Sequence, residues 1–454
     1  MTLDDPRVAV VGGGIAGLVA ARDLVTSGAR VTMFEPGLLG GKIWTDDFDG
    51  YQVEFGPDAF LTRVPEAVAL CAELGLETDL VAPAAGRAAL WWGDRLVTMP
   101  AGLVLGVPAR LGPLSRSGLL SPVGLARAAL DLVLPSTSGV GDRSVRELVA
   151  ARFGAQVADR LVDPLVGGIH AGVTSELSAS ATTPQLIAAA RRSRSLLRAL
   201  SSSAPPAAGP VFLTPKGGLG VLVDRLVEDL ESAGTTIERR AVTAVEAADE
   251  GVRVDDDPFD AVVLAVPAAP AAGLLGTHAP EGLRQITAAS VTMVLLAYGA
   301  DELTSPAALS GFLVPRVSGR LMTACSFASA KWPHWSGEGT SLLRVSVGRD
   351  GDHRHEQLDD DALVASVVDE IGQAMGTPAT PRTTRVVRWP GAFPQYRVGH
   401  LDLVAGIEDD LRRHHPRVAL AGASYRGSGI PACIRSAHTA AASVLAALPS
   451  HQTR

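Results

Sequence analysis

The stretch VAVVGGGIAGL, Val8 to Leu18, constrains this 454-residue chain more than any other. Val8 to Val11 reads as a short all-apolar strand, which suits burial on both faces of a parallel sheet. Ile15 to Thr26 reads as a helix ending near Gly28, and Val31 to Glu35 as a second strand. Between the first strand and the helix, Gly12, Gly14 and Gly17 form G-x-G-x-x-G, with Gly13, Ile15 and Ala16 filling the turn. The first glycine makes the tight turn, the second lets backbone approach a pyrophosphate, and the third packs helix on strand. The helix N-terminus attracts the phosphate charge. Glu35 closes the second strand at the spacing of a carboxylate that bonds ribose hydroxyls. The expectation is a Rossmann-like unit holding a dinucleotide.

A second glycine-rich loop, LAGASYRGSGIP, lies near the other end, with Gly422, Gly427, Ser428 and Gly429 ahead of a helix from Pro431 to Leu448. The run after the acid, EPGLLGGKIWT (Glu35 to Thr45), resembles the extended FAD fingerprint of the flavin amine oxidase superfamily. There Gly40 and Gly41 let backbone pass close to the cofactor, and Lys42 stands where Arg is usual, keeping the charge but not the fork. That resemblance implies a discontinuous FAD domain, with the two glycine loops serving two ends of one FAD. Pro431 suits a first helical turn, and the helix N-terminus would face the pyrimidine end of the flavin, where negative charge develops. A second, separate nucleotide site would need a further strand and acid after Gly429, for which too few residues follow.

Length suggests two or three domains, and 47% hydrophobic residues allow a sizeable core. A formal net charge of -8 argues against a nucleic-acid partner. Cys71, Cys325 and Cys433 lie far apart, so the expectation is small buried thiols, with no metal site and no disulfide framework. The acidic N-terminus resembles no secretory signal, and no apolar run is long enough to span a bilayer. The nearest, Gly118 to Pro135, carries Arg127 and Asp131 and reads as a buried or amphipathic helix.

The expected organisation combines α/β and α+β parts. A discontinuous FAD-binding domain is expected from 1–85, 205–270 and 385–454, a mostly helical insert at 86–204 lining the substrate entry, and an antiparallel-sheet substrate domain at 271–384. Helical spacing runs from about Met99 to Arg198, and Ser201 to Pro210 reads as a flexible connector. Leu219, Leu222, Leu226 and Leu230 mark one helix face, ended by Gly234, and Ala261 to Val266 reads as a buried strand. Val291–Tyr298, Leu321–Phe327, Ser341–Val347 and Thr383–Trp389 suit an antiparallel sheet, covered by a helix from Ala362 to Met375.

VEFGPDAFL (Val53 to Leu61), MPAGLVLGVP (Met99 to Pro108), DPLVGGIHAGVTSELSASATTPQL (Asp163 to Leu186), PKGGLGVL (Pro215 to Leu222), SFASAKWP (Ser326 to Pro333) and RWPGAFPQYRVGH (Arg388 to His400) narrow the resemblance. Together they resemble the bacterial protoporphyrinogen/coproporphyrinogen III oxidases over almost the whole chain. That family implies FAD contacts at Gly12 to Gly17, Glu35, Pro36, Lys42, Gly56, Pro57, Asp58, Ala59, Val242, Trp389, Ser428, Gly429 and Ile430. It implies substrate contacts at Leu165, Gly168 and Phe393. His170 stands where an aromatic such as Tyr is usual, and Val104 near where membrane-bound relatives carry Arg.

The implied activity is oxidation of coproporphyrinogen III by three hydride transfers to flavin, with dioxygen as acceptor, in haem biosynthesis in the cytoplasm. Protoporphyrinogen IX is the alternative substrate. An amine oxidase or desaturase on the same scaffold and a redox-silent FAD-binding module are the competing readings. After hydride loss the macrocycle is cationic and its N-H acidic, so no strong general base is required. No Ser-His-Asp set or carboxylate pair stands out. Four propionates need cations, and the candidates are Lys331, Arg344, Arg388 and Arg397, of which one or two are expected to line the site. His400 and His438 read as surface or capping residues, Trp332 and Trp335 as packing, and Cys433 as a buried thiol. Expected partners are the porphyrinogen, dioxygen, the next haem-pathway enzyme at product hand-over, and at most transient membrane contact through Leu103 to Leu119.

Overall fold

The computed structural model describes residues 5–135, 141–202, 209–248, 251–303, 306, 309–335, 337 and 339–448. Most of the expected connector, Ser201 to Pro210, lies outside them.

A five-stranded parallel sheet organises the first body. Its order is Thr236–Glu238, Arg30–Phe34, Arg7–Val11, Ala261–Leu264, Val418–Leu420. Val8 pairs with Val31 on one side and Ala261 on the other, so three distant parts of the chain build one sheet. The central strand is apolar and buried from Val8 to Val11 because both faces are covered there. On one face pack Ile15–Thr26, Gly220–Ser232 and the C-terminal helix Ile430–Ala447, meeting at Leu18, Leu222, Leu226 and Ile434. On the other lie Ala268–Leu275, His400–His414 and a three-stranded antiparallel sheet from Val245 to Phe259. The expected discontinuous Rossmann-like domain is what forms.

The second body is a seven-stranded mixed sheet. Its order is Thr383–Pro394, Ala288–Gly299, Thr340–Val347, Met322–Phe327, Leu309–Leu313, Arg87–Trp92, Arg95–Thr98. All neighbours are antiparallel except Leu309–Leu313 with Arg87–Trp92. The four strands expected from sequence are present. The segment expected as a helical insert instead opens with strands that join this sheet, and its first helix starts at Leu111. Period-two alternation divides the sheet. Leu343, Val345 and Val347 pack under the helix Asp360–Met375, which Asp359 caps by accepting from the Ala362 N–H at 2.8 Å. Leu342, Arg344 and Ser346 point the other way.

The helical insert packs around Leu148, Phe153, Leu161 and Leu186. The Gly118–Pro135 segment belongs to this core. Asp131 and Arg152 form a fully buried ion pair at 2.6 Å, and Ser195 and the Leu197 N–H complete the carboxylate's bonds at 2.7 and 2.9 Å. Arg127 donates to the carbonyls of Ala150, Ala151 and Arg152 at the end of the neighbouring helix. Among the described residues no helix is long and apolar enough to cross a membrane.

Candidate functional site

The two glycine loops and the Gly-Gly-Lys run converge on one place. Gly14 bridges to Gly40, a Cβ on Gly41 would stand 3.1 Å from the Gly14 Cα, and one on Gly422 would meet the Ala16 Cβ at 3.8 Å. A Cβ on Gly17 would lie 1.8 Å from the Gly12 carbonyl oxygen, so close helix–strand approach requires glycine there. Gly14 differs: a Cβ there meets nothing within 4 Å. The space it faces is open to a ligand.

Both helix N-termini at this point, at Gly14 and Gly429, lack a side-chain cap. Their free amides can therefore serve anionic oxygens. Glu35 is tied in place by two backbone donors, Gly13 N–H at 2.7 Å and Gly37 N–H at 2.8 Å, with exposed Pro36 between. Lys42 is a half-buried ammonium without a carboxylate partner among the described residues. Its Nζ donates to the Ala392 carbonyl at 2.6 Å, and burial pushes its pKa below the ordinary value. An open cradle at Gly14, two uncapped helix ends, a held acid and an unpaired cation fit a dinucleotide such as FAD.

Gly56 to Ala59 run beside this cradle. A Cβ on Gly56 would press on the Lys42 carbonyl at 1.9 Å and approach the Trp389 ring at 3.9 Å. Trp389 Nε1 donates to the Phe55 carbonyl at 3.0 Å, and Ala59 packs in the same aromatic cluster. Pro57, Gly427 and Ser428 are half-buried, Gly429 is exposed and Ile430 is buried. Val242 packs in the apolar cluster on the second face of the parallel sheet.

Asp58 decides the role of two expected substrate cations. Lys331 Nζ lies 2.6 Å and Arg344 Nη1 3.2 Å from its Oδ2, and Trp332 Nε1 donates to the same oxygen at 3.2 Å. Burial alone would raise the Asp58 carboxyl, but the two cations outweigh it and hold it at about 2. Arg388 is engaged with Asp360 and with the carbonyls of His355 and Leu358. Arg397 is engaged with Glu176 and Asp350. All four cations thus meet a carboxylate of the protein, Lys331 and Arg344 sharing Asp58.

A trough runs along the face of the seven-stranded sheet opposite the covering helix. One part is lined by Asp163, Gly167, Gly168, Val291, Phe393 and Arg349, among others. The adjoining part is lined by Met293, Gly311, Ala324, Ser326 and Arg344, and Ser346 borders both. Gly168 and Phe393 therefore line the trough, while half-buried Leu165 sits one turn away on the helical wall. That wall, Ala158–Gly167, is π-helical and contains Pro164, a type of widening that recurs at functional sites. Half-buried His170 follows it, and burial pushes its imidazole down to about 4.

Sequence reasoning missed two features. His400, expected as a surface or capping residue, is 3% exposed; its ring stacks on Tyr396 at 4.2 Å and its Nε2 bonds the Tyr425 carbonyl at 2.7 Å. The Tyr396 hydroxyl donates to the Ala423 carbonyl and accepts from the Gly427 N–H at 3.0 Å. The pair pins the C-terminal glycine loop to the end of the Thr383–Pro394 strand. Arg349 was also missed, since nothing in "SVGRD" sets its cation apart from other arginines. His438 is exposed and pairs with Asp23 at 2.6 Å, and Trp332 and Trp335 are buried packing residues, as expected. Burial raises the Cys433 thiol to about 11, and the other two cysteines are buried.

The flavin-containing amine oxidoreductase model matches residues 15–445. The coproporphyrinogen III oxidase of Mycobacterium bovis is 37% identical, covering 98% of each chain. That of Bacillus subtilis is 33% identical over 97% of this chain and 98% of its own. Among solved structures, a protein assigned as a protoporphyrinogen oxidase from Exiguobacterium superimposes with a TM-score of 0.88 at 30% identity, covering 97% of this chain and 99% of that one. The chain belongs to the flavin-containing amine oxidoreductase family, in its coproporphyrinogen III oxidase branch, and is an FAD-dependent oxidoreductase.

Proposed function

We propose that this chain oxidises coproporphyrinogen III to coproporphyrin III in haem biosynthesis, with dioxygen as terminal acceptor. The observation that carries the reading is a shared strand. Phe393 lines the trough, while the preceding residue, Ala392, accepts the Lys42 hydrogen bond from the dinucleotide cradle. Cofactor and macrocycle would meet across that strand.

The reaction removes six electrons in three two-electron steps, so one coproporphyrinogen III and three dioxygen give one coproporphyrin III and three hydrogen peroxide. Over the three steps three hydrides leave meso carbons, and of the three protons two leave pyrrole nitrogens and one leaves the fourth meso carbon, so that four C–H and two N–H hydrogens are lost in all. FAD, when bound, supplies the hydride acceptor at N5. Gly12 to Gly17, Glu35, Lys42 and the helix end at Gly429 would hold it. Val291, Val314 and Phe393 give the trough apolar walls, and Gly168 adds no side chain to it. His170, with its pKa near 4, is neutral at physiological pH and adds no charge to that wall. The macrocycle is acidic once the hydride has left, so a hydrogen-bond acceptor or water at the trough suffices for the proton. The same reading has the enzyme at work in the cytoplasm, passing its product to the next enzyme of the pathway.

The test is anaerobic mixing of holoenzyme with coproporphyrinogen III, followed by admission of air. Flavin bleaching at once, then porphyrin fluorescence with stoichiometric peroxide, is expected. kcat/KM for coproporphyrinogen III should exceed that for protoporphyrinogen IX. The reverse preference would assign the second substrate instead, and a flavin that stays yellow with both would end the reading.

A further inference from the structure

One cation in the trough has no carboxylate partner among the described residues. Arg349 is 8% exposed, and its guanidinium makes a single long hydrogen bond, Nη2 to the Met322 carbonyl at 3.4 Å. No carboxylate of the described residues lies within ion-pair distance of it. The acids that face it are committed elsewhere. Asp163, across the trough, accepts from the Thr174 hydroxyl at 2.6 Å. Asp352 is held by Arg354 at 2.6 Å and Asp350 by Arg397 at 2.8 Å.

A second guanidinium stands beside it. Arg316 reaches only backbone carbonyls, Asp350 at 3.3 Å and Gly172 at 3.3 Å, and its Nε is buried without a partner. Gly172 itself lines the trough. Burial, and after it the Arg316 charge, push the Arg349 guanidinium below its ordinary value by more than the Asp352 and Asp163 charges raise it, which marks the two guanidinium groups as neighbours in a poorly solvated place. Exposed Ile169 and Val317 follow directly on Gly168 and Arg316 at this end. An unpaired buried cation is costly, and two side by side cost more. An anion delivered by a ligand would relieve both. Guanidinium groups suit carboxylates because their planar forks bond both oxygens.

We propose that Arg349, with Arg316 beside it, anchors a carboxylate arm of the substrate at this end of the trough. The inference rests on the porphyrinogen reading above and names the residues that recognise the propionate side chains. It moves that role away from Lys331 and Arg344, which serve Asp58. Arg349 acts by binding and takes no part in hydride transfer.

The test uses FAD-loaded enzyme and two readouts. Binding of coproporphyrin III and of its tetramethyl ester is followed by fluorescence in one detergent buffer, and coproporphyrinogen III oxidation is followed by kinetics. Arg349→Met should raise the Kd for the acid and the KM about tenfold, the loss of one charge-assisted pair worth about 1.4 kcal/mol. The Kd for the ester and kcat should stay within twofold. Arg316→Met should act in the same direction, and Arg349→Lys should recover part of the loss. If Arg349→Met fails to fold or to hold flavin, Arg349→Lys and Arg316→Met carry the test, each with an acid-selective rise expected. Wild-type enzyme that binds and oxidises, with variants that weaken acid and ester equally or neither, overturns the anchor alone. Wild-type enzyme that binds no porphyrin and oxidises none overturns the porphyrinogen reading as well.

Discussion

Replacing Gly14 by alanine separates what the glycine does for the fold from what it does for the cofactor. Gly14 has φ -70° and ψ 174°, a conformation open to any residue, and its added Cβ would meet no protein atom within 4 Å. In the flavin-free protein the substitution removes freedom mainly from the unfolded chain, so stability should stay level or rise by about 0.4–1 kcal/mol. The cofactor should respond in the opposite direction. If the methyl displaces one phosphate oxygen from its amide donor, a hydrogen bond to a charged group worth about 1.5–3 kcal/mol is lost. That corresponds to a rise in FAD Kd of about ten- to a hundredfold. Gly17→Ala provides the contrast, because its Cβ lies 1.8 Å from the Gly12 carbonyl oxygen and must push the turn apart. It should destabilise even the flavin-free protein, by about 1–3 kcal/mol. Thermal unfolding of both apoproteins, with titration of each by FAD under flavin fluorescence, measures the two effects separately. A Kd for Gly14→Ala within twofold of wild type would refute the close backbone approach. A clear fall in its apoprotein Tm would refute the open space at that position.

Glu54 is buried, accepts from Thr45 Oγ1 at 2.9 Å and from the Leu219 N–H, and leaves its Oε2 without a partner; burial pushes its carboxyl up to about 7. A raised acid stabilises the fold below its unfolded pKa and loses that contribution as pH rises through the folded one. Wild type should therefore lose on the order of 3 kcal/mol relative to Glu54→Gln between about pH 5 and 8, and parallel Tm–pH curves would contradict this. Arg152→Met strands Asp131 in the helical insert and should cost about 3–5 kcal/mol in urea unfolding; a loss under 1 kcal/mol would mean that the site admits water. Lys331→Met should destabilise by about 1–3 kcal/mol through Asp58, while the ratio of KM values for the four- and two-propionate porphyrinogens stays within twofold; a selective rise for the former would return Lys331 to the substrate.

The sequence by itself determined the strand–glycine–helix unit, the acid at Glu35, the Gly-Gly-Lys run and the second glycine loop. These are short-range features, in which sterics within a dozen residues dictate the type of turn, so they stay legible without a partner. Heptad-like leucines from Leu219 to Leu230 and the alternation in Ser341–Val347 were legible for the same reason. The tertiary structure alone decided the destinations of the charges. Lys331 meets Asp58 across 273 positions of sequence, Arg388 turns to the covering helix, and His400 is buried under the C-terminal loop. It also decided that Arg87–Trp92 leaves the helical insert to extend the substrate sheet. An arginine looks the same in sequence whether it is paired, solvated or waiting for a ligand. Coulomb energy depends on distance and dielectric, and both are set only when remote strands are brought together; Arg349 is distinguished only there, where the acids that face it are bonded to other groups.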